Sequence, residues 1–117
     1  SFTGFIKVIF DKSIMMNSKL ANGNFPESSF IRANLYETNF EGGNFEKTNF
    51  TSANLTRANF KAASLIEANF NNANLFEADF TGANILNANF DGANLNNATW
   101  ADGKKCGLNS IGQCNTK

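Results

Sequence analysis

The sequence predicts an all-β protein, a square parallel coil whose hollow is filled by its own side chains. Two observations carry this reading. Large apolar residues recur at every fifth position, and a small residue stands two places before each of them. Within residues 64–90 the series is Leu65, Phe70, Leu75, Phe80, Ile85 and Phe90, with alanine two before each from Phe70 onward. From Met15 to Trp100, all eighteen multiples of five are Met, Leu, Phe, Ile or Trp, in a chain that is 42% apolar. Chance would give such a run about once in several million sequences.

A period of five excludes both regular alternatives. Five residues of α-helix turn the chain by about 500°, so successive large residues would sit roughly 140° apart and no face would be apolar. A long flat strand fails because five is odd and the large residues would alternate between faces. What remains is a short extended step followed by a corner. With the large residue called i, residues i−2 and i point to one side of the step, i−1 points to the other, and i+1 and i+2 turn the corner. Four corners near 90° close a coil of about twenty residues, and the next coil stacks about 4.8 Å above it.

The eighteen i−2 positions, Ser13 to Ala98, are all Ser, Gly, Thr or Ala, and the last ten are Ala throughout. A large residue beside a small one is what close packing in a narrow lumen requires. Spacing by twenty also places like over like. One wall is Leu35, Leu55, Leu75 and Leu95; a second is Phe30, Phe50, Phe70 and Phe90; a third is Leu20, Phe40, Phe60, Phe80 and Trp100; the fourth is Phe25, Phe45, Leu65 and Ile85. A slip by one unit would set Phe over Leu, so the sequence itself favours this register. Position i−1 is mostly Asn, as in Asn34, Asn54, Asn74 and Asn94. A short amide that bonds to nearby backbone suits a place beside a corner, and the array is read as backbone satisfaction rather than a ligand-binding face. On this assignment Ala73→Leu overpacks the lumen, whereas Asn72→Leu is expected to be nearly neutral.

The units Ala53-Asn54-Leu55, Ala58-Asn59-Phe60, Ala78-Asp79-Phe80 and Ala93-Asn94-Leu95 resemble the motif of the pentapeptide-repeat proteins, and the resemblance covers residues 11–100. It implies a right-handed quadrilateral β-helix with i and i−2 inside, here of about four and a half coils. It implies no single activity, because the family's functions differ.

The expected organisation is an N-terminal cap over 1–10, the β-helix over 11–100 and a C-terminal cap over 101–117. Stacked coils expose unpaired backbone at both ends and need caps. Phe2, Phe5, Ile6, Ile9 and Phe10 follow helical spacing, although Phe5 and Phe10 also fit the period of five. They read as an irregular strand or a first partial coil, with a membrane or partner helix as the alternative. The chain starts at Ser1 without Met, which fits either a removed signal segment or a trimmed tag. No apolar stretch is long enough for a membrane span.

After Trp100 the repeat stops and the two cysteines, Cys106 and Cys114, appear. A disulfide between them would close a small loop and contribute about 2.6 kcal/mol in the chain-entropy model. A metal pair or two reduced thiols are the alternatives. Two sulfurs without His make a poor metal site, and catalytic redox pairs usually have the tighter Cys-X-X-Cys spacing. The disulfide, and an exported or lumenal location such as periplasm or thylakoid lumen, is therefore expected; reduced cysteines would mean the cytoplasm. The segment also resembles the cysteine-bracketed pentapeptide proteins of cyanobacteria and chloroplasts.

Signs of catalysis are missing from the sequence: there is no His, no phosphate loop, and carboxylates such as Glu37, Glu67 and Glu77 fall on open corners. A lumen filled with Leu and Phe leaves no room for a cofactor. Function is thus expected on the outside, as a non-catalytic structural or protein-binding module with another protein as partner and a monomer slightly favoured. Apolar residues at corners mark candidates for its surface: Ile31, Tyr36, Ile66, Phe76 and Leu86. The alternative is a DNA mimic that binds a type II topoisomerase, as some members of the resembled family do. Mimicry requires a dense negative face, but ten basic and ten acidic residues cancel here, with Lys47, Arg57 and Lys61 among the corners. Nucleic-acid binding lacks its basic stripe for the same reason. Ice binding would need an aligned threonine array, and Thr51, Thr56 and Thr81 do not share an edge.

Overall fold

The computed structural model describes residues 7–116. The expected step and corner recur along the chain, each unit showing a two-residue turn at i+1 and i+2 and a β-bridge at i−1. Every i−1 residue from Ile9 to Asp79 forms a parallel bridge with the residue twenty positions further on, as in Asn54 with Asn74 and Asn59 with Asp79. No helix is present among the described residues. The helical spacing over Phe2, Phe5 and Ile6 lies outside them.

One hydrogen-bond scheme serves each unit. The Phe60 N–H donates upward to the Asp79 carbonyl at 2.7 Å, and the Ala62 N–H donates to that of Thr81 at 2.9 Å. The Asn59 N–H donates downward to the Thr38 carbonyl at 3.0 Å, and the Ala63 N–H closes the turn on the Phe60 carbonyl at 3.1 Å. A stack of such units satisfies its own backbone only when both neighbours lie twenty residues away.

The corner has a property that residue types alone did not disclose. At i+2 the backbone is left-handed, with φ of 58° at Glu67, 58° at Asn72 and 59° at Glu77, and glycine takes this place at Gly42, Gly82 and Gly92. That conformation costs an L-residue about 1–2 kcal/mol, and Asn tolerates it better than Leu. Asn72 is exposed, yet Asn72→Leu is not neutral as expected: it should cost about 1 kcal/mol through the backbone.

Inside, the residues at i and i−2 are almost completely buried. Leu35, Phe40, Phe50, Leu55, Phe60, Phe70, Leu75 and Phe80 are 0% exposed, and the alanines from Ala53 to Ala78 no more than 1%. Phe30, Phe50, Phe70 and Phe90 stack nearly parallel with centroids 5.0–5.1 Å apart. Opposite them Phe40, Phe60 and Phe80 stack at 4.6 and 5.2 Å. Across the lumen the two columns meet edge to face, with Phe60 against Phe70 at 86° and Phe70 against Phe80 at 90°. Both geometries are the favoured aromatic ones, so the columns hold their register by ring packing as well as by area buried.

Trp100 departs from its column: it stands at 64° to Phe80 and touches Phe90 as well. Its larger ring spans the end of the lumen instead of stacking. At the other end Leu20 and Phe25 are only half-buried. Small polar residues at i−2 are also accounted for, because buried Thr38 and Thr48 donate their hydroxyls to the carbonyls of Met15 and Phe25 at 2.9 Å. On the fourth wall Gly43 precedes Phe45, and a Cβ there would run into the Phe45 ring. The same wall has Ala63 before Leu65, the smaller partner allowing the extra methyl.

Beyond Trp100 the chain reverses. Ile111 bridges Asn94 and Lys105 bridges Thr99, both antiparallel. Cys106 and Cys114 form the expected disulfide, with Cys106 fully buried. Buried Ser110 is fixed within this loop by its N–H to Asn96 Oδ1 and its hydroxyl to the Gly107 carbonyl.

In thermal or urea unfolding, Ala73→Leu should lose about 3 kcal/mol and Asn72→Leu about 1 kcal/mol; equal losses would contradict the inside–outside assignment. Gly43→Ala should lose about 1–3 kcal/mol by overpacking against Phe45, and an unchanged melting temperature would contradict the packing described. Replacing Cys106 and Cys114 by serine should lower stability by about 2.6 kcal/mol, measured against the oxidised wild type.

Candidate interaction surface

The five apolar corners occupy distinct edges and differ in exposure. Ile66 and Leu86 are twenty apart, on adjacent rungs of one edge; Ile66 is half-buried, whereas Leu86 is 60% exposed. Tyr36 and Phe76 share another edge with Thr56 between them, and both are half-buried, as is Ile31 on a third. The structure therefore groups these residues in two pairs and one isolated side chain.

The Tyr36 edge is engaged internally. At the neighbouring i+2 positions Arg57 lies between two carboxylates, donating to Glu77 at 2.7 Å and Glu37 at 3.5 Å. It also donates to the Tyr36 hydroxyl at 3.2 Å. The bond to Glu77, helped by Tyr36 and Glu37, raises the Arg57 guanidinium above its usual pKa. Such an exposed cluster stabilises weakly, but it ties three rungs together and, with one cation between two carboxylates, leaves a single net negative charge. Another edge alternates in sign along Lys7, Glu27, Lys47 and Glu67, with Lys7 and Glu27 paired at 3.5 Å. Alternation of this kind cannot present the continuous negative face of a duplex.

The outward asparagines are occupied as expected. Asn39, Asn49, Asn59, Asn69 and Asn89 each accept, through Oδ1, the N–H two residues on, at 2.8–2.9 Å. Glu37, Glu67 and Glu77 are exposed. No pocket and no cluster of metal-ligating side chains occurs among the described residues. What the surface offers chemically is contact: apolar side chains, edges of paired charges, and ends.

The tandem five-residue unit, now seen in three dimensions, matches the family described as pentapeptide repeats in eight copies, over residues 13–51, 53–85 and 73–99. The chain belongs to the pentapeptide-repeat family. A pentapeptide repeat protein (Rfr23) from the cyanobacterium Cyanothece 51142 is similar, with TM-score 0.70 and 24% identity over 74% of this chain and 72% of that one. Another from Nostoc Pcc 7120 has TM-score 0.57 and 26% identity over 74% of this chain and 68% of that one. QnrB1, a plasmid-mediated fluoroquinolone resistance protein, has TM-score 0.58 and 21% identity over 78% of this chain and 56% of that one. No curated protein matches. Relatives at these identities share the β-helix; members of the family are generally structural or interaction modules.

This pentapeptide-repeat protein exposes further apolar side chains that the corner search missed. Ile9 and Ile14 are 68% and 80% exposed at outward i−1 positions. An Ile where the repeat elsewhere has a polar residue was the available signal. Met16, at 47%, extends the Tyr36 edge, and Leu108 and Ile111, at 77% and 54%, lie beyond the period where no register predicts them.

Leu86→Ser should change stability by less than about 0.5 kcal/mol, whereas half-buried Ile66→Ser should lose about 1–2 kcal/mol. Urea denaturation of both variants checks this, and equal effects would contradict the exposure difference.

Proposed function

We propose that this chain is a non-catalytic protein-binding module: a right-handed quadrilateral β-helix of about four and a half coils, capped by residues 1–10 and 101–117, that engages another protein through its outer surface. Leu86 carries the reading. It is the most exposed of the corner apolar residues at 60%, and it stands on the rung above Ile66, on an edge whose corresponding residues below are Glu46 and Pro26. Exposed Leu86 over half-buried Ile66, with uncharged Asn84 and Asn87 beside Leu86, suits a partner surface that is itself apolar. Ile31, Tyr36 and Phe76 contribute less in this reading, because each is half-buried and Tyr36 also serves Arg57. The disulfide supports an exported or lumenal location. The partner is a protein rather than nucleic acid, and the module acts as a monomer. Topoisomerase binding by DNA mimicry, the alternative, is disfavoured by the alternating charges at Arg57 and along Lys7, Glu27, Lys47 and Glu67.

Affinity capture from the native extract tests the module, using wild type beside folded Leu86→Ser and Phe76→Ser variants of matched melting temperature. Partner capture lost in Leu86→Ser and kept in Phe76→Ser is expected. Identical captures by all three would overturn the assignment to this edge. In a supercoiling assay with a type II topoisomerase, no inhibition is expected, and inhibition would favour the mimic.

A further inference from the structure

The upper end of the stack is only half covered. In the coils below, each unit donates upward from the N–H of i and i+2 and accepts from above at the carbonyl of i−2, as Leu65, Glu67 and Ala63 do. In the units 83–87 and 88–92 the equivalent groups are the N–H of Ile85, Asn87, Phe90 and Gly92 and the carbonyls of Ala83 and Ala88. None of these six has a partner among the described residues. On the next two walls five of the six equivalent groups are engaged by the reversed chain, the Asp102 N–H being the exception. The Leu95 N–H donates to the Ser110 carbonyl at 2.7 Å, Asn97 to Cys106 at 3.0 Å and Trp100 to Lys104 at 2.8 Å, while the Ala93 and Ala98 carbonyls accept from Gly112 and Cys106.

Side-chain cover fails at the same place. Ala63, Leu65 and Phe70 are 0–1% exposed, whereas Ala83 and Phe90, one coil higher, reach 9%. Ile85 and Ala88 are half-buried and Leu86 is open. Natural sheet edges are usually blunted by lysine, proline or a bulge. Residues 83–92 contain neither Lys nor Pro, and Asp91 is their one charge.

We propose that this open half-edge is a docking site for an extended, uncharged peptide segment of a partner protein, added as a further half coil. Two features favour that occupant. Six unpaired backbone groups set at strand spacing match an added backbone segment, and the adjoining half of the edge already holds residues 105–112 through backbone bonds, there in antiparallel pairing. The pairing scheme also specifies the peptide. One residue gives its N–H to Ala83 and its carbonyl to the Ile85 N–H; the next sets a large apolar side chain over Ile85; the one before must be small. After a two-residue corner the same triplet meets Ala88 and Phe90. The inference rests on the proposed function only in assuming that a partner exists, and the edge is tested without that partner.

The test uses the isotopically labelled full chain and a capped synthetic peptide, Ala-Asn-Leu-Asn-Asn-Ala-Asn-Phe-Asn-Gly, followed by amide hydrogen exchange. Exchange at Ile85, Asn87, Phe90 and Gly92 should slow by about tenfold or more at saturation. N-methylation of the peptide's second and seventh residues, whose N–H groups face Ala83 and Ala88, should abolish binding. Methylation of the third and eighth, which face away, should leave it. Unchanged exchange at about millimolar peptide, or equal behaviour of the two methylated peptides, would overturn the proposal. So would protection that appears without peptide and grows with protein concentration, since a second copy would then hold the edge. Leu86→Ser keeps all six backbone groups and should bind within about threefold of wild type. A loss as large as that from methylation at the second and seventh residues would make the side chain, not the edge, the site.

Discussion

The lumen admits one large and one small side chain per wall in each coil, and the backbone path follows from filling it. With Phe60 and Ala58 inward, the chain must turn after each large residue to bring the next pair round. The turn is tight enough that its second central residue is left-handed even when it is Glu, Arg or Lys. Isolated, such residues would relax. They are held because the N–H of i+2 bonds to the coil above and the closing N–H returns to the carbonyl of i. Lumen packing and local strain are thus one problem solved by a repeat of five.

Because each coil depends on its neighbours, cover is best in the middle and falls toward both ends. Phe40 to Phe80 are sealed, Leu20 and Phe25 are half-buried, and Ile85 is half-buried again. Solenoid stability is a sum of such nearest-neighbour terms, so opening should start at the terminal coils. The disulfide lies where the repeat has ended and aromatic stacking can no longer hold the chain. Trp100 turns across the lumen at the same level and closes part of it.

Much of this was legible in the sequence because the repeat is unbroken. The walls, the inward alanines, the asparagines beside the corners and the period of twenty each follow from a single residue pattern that allows one geometry. Three things were not legible. The left-handed corner is hidden because residues as unlike as Glu67, Ala62 and Arg57 share it; the hydrogen bonds, not the side chains, impose it. The antiparallel return of 105–112 is hidden because no period survives past Trp100. The unequal exposure of Ile66 and Leu86, alike in sequence position, arises because one lies within the stack and the other on a last rung with no coil above it. A site on an edge or an end depends on where stacking stops, and a repeat does not announce that.

The central claim is that each unit bonds to the unit twenty residues away, and couplings across hydrogen bonds read this directly by NMR. The account predicts a correlation from the Leu55 amide nitrogen to the Asn74 carbonyl carbon and from Phe60 to Asp79, repeated every five residues through the stack. Partners displaced by five residues in either direction, or correlations in one part of the chain that break the period, would contradict it.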